Sequence, residues 1–226
     1  MTARRLFITG TDTGVGKTRC AAALCHAFAA RGLAVGAMKP VASGCARTPQ
    51  GLRNADALAL LEAMTVRARY EEVNPYAFEP AIAPHIAARR AQVPIDLARL
   101  DHAFERLALR SEVMIVEGAG GWLTPLDERA MLAELASRWN LAVVMVVGLK
   151  LGCINHALLT EEAIARRNCT LAGFIINAVD PAMQAPQDSI ETLRARLRAP
   201  CLGSLPWAPA EAARDSAPHL DITALL

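Results

Sequence analysis

The sequence contains no long apolar run. The longest is the stretch 141–149, whereas a membrane-spanning helix needs about 20 apolar residues. The valines of this stretch favour a buried strand, so neither a transmembrane helix nor a membrane partner is predicted. Near the amino end, Arg4 and Arg5 precede only residues 6–8 before polar residues begin, which is too short for the apolar core of a secretory signal. We therefore expect a cytoplasmic protein.

Cysteines, histidines and charges also lack a functional spacing. The six cysteines form no Cys-x-x-Cys pair and the five histidines show no metal-ligand spacing, so both residue types are interpreted as structural. The 24 basic and 22 acidic residues give a net charge of +2, with no long block of one sign. A nucleic-acid partner is not predicted, because such proteins neutralise phosphates with a basic surface.

The sequence does contain an alternation of short apolar runs and longer helical patterns. This order predicts an α/β fold of the phosphate-loop NTPase type, with helices on both faces of a parallel sheet. No linker divides the 226 residues, so we predict one domain over residues 1–226. Strands are predicted at residues 5–9, 34–39, 113–117, 142–147, 171–177 and 201–204. Helices are predicted at residues 17–30, 55–64, 96–109, 128–138, 154–167 and 188–197.

Proline and glycine are frequent between residues 41 and 94, which predicts loops and short helices there rather than sheet. Long excursions of this kind often build a substrate site. Asp96 has the chemistry of a helix N-cap, and Gly32 fits a left-handed residue at the end of the first helix. Beyond Pro206 we predict a loop with a short helix.

The strongest functional pattern is a glycine-rich loop between the first strand and the first helix. Residues 10–18 (GTDTGVGKT) place five residues between Gly10 and Gly16, one more than the usual phosphate loop has. The glycines still let backbone N–H groups face phosphates, and the helix N-terminus supplies positive potential. Lys17 would reach the outer phosphates and the Thr18 hydroxyl would bind Mg²⁺. The loop therefore predicts binding of a nucleoside triphosphate.

Other polar residues are predicted at the carboxyl ends of strands, where ligands of parallel sheets gather. Glu117 ends an apolar strand beside a glycine cluster, so we interpret it as a Mg²⁺ ligand rather than a solvated acid. Asp56 could serve the same metal or only favour the first turn of a helix. Lys39 follows an apolar strand, where a lysine is more often an exposed end than a catalyst. Residues 152–155 begin a helix and offer N–H groups to an anion.

Six segments in the chain together resemble the dethiobiotin synthetase family. They follow the family's order over nearly the whole chain, and the five-residue gap of the phosphate loop is also the family's own. The segments are residues 10–18 (GTDTGVGKT), 39–44 (KPVASG), 51–58 (GLRNADAL), 73–76 (VNPY), 116–122 (VEGAGGW) and 151–157 (LGCINHA). The resemblance implies a homodimeric, Mg²⁺-dependent enzyme that uses ATP to join CO₂ to diaminopelargonic acid, giving dethiobiotin, ADP and phosphate.

The resemblance also implies roles for individual residues. Lys39 and Lys17 resemble the catalytic lysines, and Ser43 resembles a substrate contact. The implied metal set is Thr18, Asp56 and Glu117. The implied ATP-binding residues are Thr13, Gly14, Val15, Gly16, Lys17, Thr18, Arg19, Asp56, Glu117, Gly118, Ala119, Gly120, Asn177, Ala178, Pro206, Trp207 and Ala208. Among them, Asn177 and residues 206–208 resemble the family's adenine-recognition elements. The substrate carboxylate would be held near the subunit interface by Gly152, Cys153, Ile154 and Asn155.

The chain departs from the family at two positions near the nucleotide. Ala213 stands where some relatives carry a glutamate near the ribose, and Ala178 stands where an acid can follow the asparagine. Glu211 lies close enough in sequence to replace the missing glutamate. These departures predict looser nucleotide affinity or base selectivity.

Two other protein classes use similar nucleotide domains. Partitioning and septum-positioning ATPases dimerise on ATP and signal to partners, but they carry an additional lysine early in the loop, where Asp12 stands in this chain. Synthetases of the cobyrinic acid type carry a fused glutaminase, for which 226 residues leave no room. The ligase is therefore the preferred hypothesis, and the nucleotide switch is the alternative.

Overall fold

A computed structural model describes residues 4–208 and 213–226 of the chain. The strands are β1 Arg4–Gly10, β2 Val35–Met38, β3 Val41–Ala42, β4 Ala46–Thr48, β5 Gly51–Arg53, β6 Tyr76–Ala77, β7 Val113–Glu117, β8 Ala142–Leu149, β9 Leu171–Ala178 and β10 Cys201–Leu205. The helices are α1 Lys17–Ala29, α2 Ala55–Ala63, α3 Tyr70–Val73, α4 Pro84–Ala91, α5 Leu97–Ala108, α6 Ala133–Arg138, α7 Cys153–Ala165, α8 Pro186–Arg196 and α9 Ala213–Ser216. Two 3₁₀ turns, Ala217–His219 and Thr223–Leu225, follow α9.

The main sheet has six strands in the order β10-β9-β8-β1-β7-β2, and each adjacent pair is parallel. Phe7 and Ile8 are neighbours in β1 and point to opposite faces, yet both are fully buried. Helices therefore cover both faces of the sheet, which explains why its strands are continuous apolar runs. The predicted fold class is confirmed. Because the strands are parallel, the segments that follow β1, β2 and β7 lie at one edge.

Most predicted elements are present with their ends within two residues of the prediction. The carboxylate of Asp96 accepts a hydrogen bond of 2.9 Å from the N–H group of Ala98, which confirms the N-cap of α5. Gly32 has a φ of 77°, as predicted for the end of the first helix. The short helix predicted beyond Pro206 is α9.

The helix predicted at residues 128–138 is wrong in its first half, because α6 begins only at Ala133. The carboxylate of Asp127 accepts hydrogen bonds from the N–H groups of Arg129 and Ala130. A third hydrogen bond, from the N–H group of Leu126 to the carbonyl of Ala130 at 2.8 Å, closes the turn. Local side-chain bonds of this kind compete with helix formation.

The expectation of loops and short helices in residues 41–94 is confirmed for α2, α3 and α4, but the exclusion of sheet is wrong. β3 pairs with β6 in parallel, and β4 pairs with β5 in an antiparallel ladder. Val41 and Ala42 are almost fully buried. Their backbone polar groups therefore need partners inside the protein, and a short ladder supplies them.

Within the described ranges, no helix combines the length and the apolar character that crossing a membrane requires.

Replacing the N-cap of α5 should lower stability by a small, defined amount. The Asp96→Ala variant removes the acceptor for the N–H group of Ala98, so we expect a loss of about 1 kcal/mol in the free energy of unfolding. Urea denaturation followed by circular dichroism measures this difference. Asp96→Asn keeps an acceptor oxygen and should retain most of the stability. An Asp96→Ala variant as stable as the wild type would show that the cap contributes nothing.

Candidate active site

A cavity of about 410 Å³ lies at the carboxyl edge of the main sheet. Its walls come from the phosphate loop, from the segments after β2 and β7, and from the first turn of α2. The lining residues are Thr13, Gly14, Gly16, Lys17, Thr18, Lys39, Ala42, Ser43, Asp56, Glu117, Ala119 and Gly120. The structure thus brings together the two lysines, the serine and the three oxygen ligands that the sequence nominates for one site.

The phosphate loop turns on two glycines with left-handed backbone conformations. Gly14 has a φ of 73° and Gly16 a φ of 85°. At Gly16 a side chain is also excluded by space, because a Cβ atom there would lie 2.1 Å from Nδ2 of Asn177. α1 begins at the next residue, so its N-terminal N–H groups face the loop. The Nζ atom of Lys17 donates to the carbonyl of Asp12 at 3.0 Å, which holds the ammonium against the loop.

A buried ion pair joins the ends of two neighbouring strands. β2 pairs with β7 in a register that sets Met38 beside Val116, so Lys39 and Glu117 follow side by side. The Nζ atom of Lys39 lies 2.5 Å from Oε1 of Glu117 and donates to the carbonyl of Gly118 at 3.0 Å. Both side chains are almost fully buried. The default reading of a lysine at a strand end, an exposed cation, is therefore wrong for Lys39.

Asp56 and Thr18 complete this polar cluster. Oδ2 of Asp56 lies 3.1 Å from the Nζ atom of Lys39, and the Thr18 hydroxyl donates to Oε1 of Glu117 at 2.9 Å. Asp56 therefore lines the cavity and also lies in the first turn of α2, and its role as a metal ligand stays a prediction. Sequence reasoning missed Asn54, whose side chain caps α2 and donates to the carbonyl of Ser43 at 3.3 Å. An asparagine before a helical pattern was the available signal.

The cluster keeps Lys39 charged. Burial opposes the charge, but the carboxylates of Glu117 and Asp56 outweigh it and raise the pKa of Lys39 above its ordinary value. Burial also acts against the charge of Asp56, yet the Lys39 ammonium lowers the pKa of Asp56 overall. For Glu117, burial dominates and raises the pKa of its carboxyl group.

Lys17 shifts in the opposite direction. Burial, with the nearby charge of Lys39 as the second cause, lowers the pKa of Lys17 to about 8. The two lysines of the cavity therefore differ in kind. Lys39 is compensated by carboxylates, whereas the negative charge around Lys17 does not offset the effect of its burial. A bound anion would supply the missing charge.

The oxygen atoms of the cluster suit a hard divalent cation. Oε2 of Glu117 is buried and has no hydrogen-bond partner, which leaves one carboxylate oxygen for another ligand. The Thr18 hydroxyl and the partly exposed Asp56 carboxylate lie beside it. Within residues 4–208 and 213–226, no three His, Cys, Asp or Glu side chains group as a ready-made metal site. The donor set therefore fits Mg²⁺, which commonly takes one or two carboxylates and keeps several waters.

The residues nominated for the base lie on the other side of the phosphate loop. Asn177 is 3% exposed, and its Nδ2 atom donates to the carbonyl of Val15 at 2.9 Å. Arg19 donates to Oδ1 of Asn177 and to the carbonyl of Pro206, both at 2.8 Å. Ala178 is the last residue of β9 and residues 206–208 follow β10, whereas Glu211 lies outside the described residues. The structure thus places the ends of β9 and β10 against the loop.

The segment 152–155 does not line the cavity of this single chain. Gly152 has a φ of 91° and precedes α7, and Leu151 beside it is 94% exposed. Its role in substrate binding stays a prediction. Sequence reasoning missed Lys150, whose Nζ atom lies 3.2 Å from Oδ2 of Asp12 and ties this segment to the phosphate loop. No motif in the sequence pairs these two residues.

Fold and site together define the class of the protein, a phosphate-loop nucleotide-binding protein. A family model for an AAA domain matches residues 4–213. Among solved structures, the septum site-determining protein MinD complexed with Mg-ADP from Pyrococcus horikoshii OT3 has a TM-score of 0.59 at 15% identity, covering 94% of this chain and 86% of that one. A ParA family ATPase from Chlorobium tepidum TLS has a TM-score of 0.53 at 16% identity, covering 100% and 97%. At such identities the likeness extends to the fold alone.

Sequence relatives narrow this class. The chain is 54% identical over 220 residues to the ATP-dependent dethiobiotin synthetase BioD of Pseudomonas paraeruginosa PA7, covering 97% of this chain and 96% of the relative. It is 47% identical over 224 residues to the protein of the same name from Aeromonas hydrophila, covering 99% of each. The chain belongs to the dethiobiotin synthetase family.

Nucleotide affinity should fall at alkaline pH because Lys17 loses its proton. With a pKa of about 8 in the free protein, Lys17 is charged at pH 7 and mostly neutral at pH 9. A bound phosphate favours the charged form, so we expect the dissociation constant of ADP to rise about tenfold from pH 7 to pH 9. Isothermal titration calorimetry measures it. Lys17→Arg keeps its charge and should show a flat profile, and an equally flat wild-type profile would contradict the low pKa.

Proposed function

We propose that the protein is an ATP-dependent ligase that joins CO₂ to 7,8-diaminopelargonic acid and closes the ring, giving dethiobiotin, ADP and phosphate. The observation that carries this proposal is the 54% identity with a named dethiobiotin synthetase over nearly the full length of both chains. The cavity supports it, because Lys17, Lys39 and Ser43 line the same space as the acidic ligands.

In the proposed reaction, one amine of the substrate attacks CO₂ and forms a carbamate. A carbamate oxygen then takes the γ-phosphoryl group of ATP, and ADP leaves. The second amine attacks the carbon of this mixed anhydride, phosphate leaves, and the cyclic urea is complete. The carbamate, the γ-phosphoryl group and the departing phosphate are anions, so the protein must position negative charges against one another.

The two lysines suit different steps of this sequence. Lys17 lies against the phosphate loop, and burial, with the charge of Lys39 as the second cause, lowers its pKa. It is placed to bind the β- and γ-phosphates. Lys39 stays protonated at the opposite wall, between Asp56 and Glu117. We propose that its ammonium stabilises the carbamate and the transferring phosphoryl group, where negative charge develops.

Mg²⁺ would be held by Thr18, Asp56 and Glu117. When bound, it would neutralise charge on the phosphate oxygens. The free Oε2 atom of Glu117 supports this assignment. Glu117 must then serve both Lys39 and the metal, and a carboxylate has two oxygens for these two roles.

Residues around the reacting groups would bind the remaining parts of the two substrates. The phosphate loop would bind the phosphates of ATP, Asn177 and the segment 206–208 would contact its adenine base, and Ser43 would contact the diamine. Residues 152–155 would hold the substrate carboxylate near the interface of a homodimer, which fits the exposure of Leu151 beside them. The chain would act as one domain in the cytoplasm, where ATP is available, with small-molecule substrates and without nucleic acid or membrane.

The alternative function is a nucleotide switch of the ParA or MinD type. Only the fold supports it, at 15–16% identity. Asp12 occupies the loop position at which that class carries its additional lysine, and in this chain Asp12 pairs with Lys150. The near full-length relatives favour the ligase.

The ligase and the switch differ in their dependence on the diamine. We expect the protein with ATP, Mg²⁺ and bicarbonate to release phosphate only when diaminopelargonic acid is present, in equal amounts with dethiobiotin. A coupled phosphate assay and mass spectrometry measure the two products. Phosphate release without the diamine and without dethiobiotin would support the switch instead.

Variants of the two lysines should separate nucleotide binding from turnover. Lys39→Ala removes the ammonium beside the carbamate but leaves the phosphate loop intact, so we expect a loss of at least about a hundredfold in kcat with little change in ADP affinity. Lys17→Ala should abolish phosphoryl transfer and weaken ADP binding as well. Steady-state kinetics and calorimetry on both variants make the comparison. Full turnover in either variant would remove the proposed role from that lysine.

A further inference from the structure

Arg19 makes contacts that the proposed reaction does not use. It is the second residue after Lys17 in α1, and its guanidinium reaches across to the ends of two strands. Nη1 donates to Oδ1 of Asn177 at the end of β9 and to the carbonyl of Pro206 just after β10, both at 2.8 Å. Nε donates to Oγ of Ser216 in α9 at 3.0 Å. Among the residues that the structure describes, one planar cation thus joins the start of α1 to the end of β9, to the segment after β10 and to α9.

These bonds fix which way the carboxamide of Asn177 faces. A guanidinium can only donate, so the atom that it meets must be the amide oxygen. The carbonyl of Val15 can only accept, so the atom 2.9 Å from it must be the amide nitrogen. Rotating the carboxamide by 180° would set two donors against each other at Arg19 and two acceptors against each other at Val15. The orientation is therefore determined by the network.

The fixed carboxamide has a defined remaining capacity. Its oxygen keeps one lone pair and its nitrogen keeps one hydrogen. Adenine offers a donor at N6 and an acceptor at N7, which matches this pair. Guanine offers acceptors at both O6 and N7, so its O6 would face the amide oxygen. A carboxamide free to rotate could accommodate either base at O6 or N6, whereas a fixed one favours adenine.

We propose that Arg19 is a positioning residue that orients Asn177 for adenine and against guanine. The inference rests on the proposed function, in which Asn177 contacts the base. Arg19 also holds the carbonyl of Pro206, so it sets the distance between the two segments proposed to enclose that base. The backbone of Gly16 also packs against the Asn177 amide, and only glycine at position 16 leaves room for that amide.

The Arg19→Leu variant tests this role through base selectivity. We expect the ratio of kcat/KM for ATP over GTP to fall at least about tenfold, through KM rather than kcat, because the hydrogen-bond discrimination at the base is lost. Arg19→Lys provides a single donor nitrogen atom without the planar fork and should give an intermediate ratio. Arg31→Leu, at an exposed position beyond the end of α1, is the matched control and should keep the wild-type ratio.

If Arg19 had only a structural role, Arg19→Leu would weaken the binding of ATP and of GTP equally. The ratio of their kcat/KM values would then stay unchanged, and this result would overturn the proposal. So would a wild-type protein that binds ADP and GDP with equal affinity. If Arg19→Leu does not fold, Arg19→Lys and Ser216→Ala replace it, and an unchanged ratio in both also overturns the proposal. ADP and GDP dissociation constants are measured in parallel, so that a protein that makes no dethiobiotin still reports on Arg19.

Discussion

The ion pair between Lys39 and Glu117 is the interaction on which the rest of the site depends. An isolated charge is too costly to bury, so each side chain can occupy the interior only because the other is 2.5 Å away. The pair also determines the neighbours of each group. Lys39 also forms an ion pair with Asp56. Glu117 accepts a hydrogen bond from the Thr18 hydroxyl through one oxygen, and its second oxygen has no hydrogen-bond partner. Removing either partner would therefore leave the other charge buried without compensation and disturb Asp56 and Thr18, which contact the pair.

The sheet order explains why residues so far apart in sequence form this pair. β7 is inserted between β1 and β2, so its last residue lies between the phosphate loop and Lys39. Thr18 from the loop and Lys39 from the neighbouring strand then contact the same oxygen of Glu117. The fold thus supplies the meeting point, and the excursion after β2 adds Ser43 and Asp56 to it. The chemistry of the ligase, as proposed, depends on this convergence.

Some of this arrangement could be predicted from the sequence. The apolar strands, the glycine loop and the cap at Asp96 are local patterns with local physical causes, and the structure confirms them. The position of Glu117 at a strand end could also be predicted, because parallel strands gather ligands at one edge. The burial of Lys39 could not, because it depends on β2 lying next to β7. The turn at Asp127 and the bonds of Arg19 likewise depend on contacts that no periodicity encodes.

The opposite pKa shifts of Lys17 and Lys39 follow from the same electrostatics and can be observed directly. The chain has only three lysines, so ¹⁵N-lysine labelling with one variant per lysine assigns every side-chain signal. In the nucleotide-free protein, an NMR titration should find Lys39 still protonated at pH 9, while Lys17 has titrated around pH 8. If Lys39 instead lost its proton at or below the pKa of Lys17, the carboxylates of Glu117 and Asp56 would not be compensating its charge. The ion pair could not then be the interaction that organises the site.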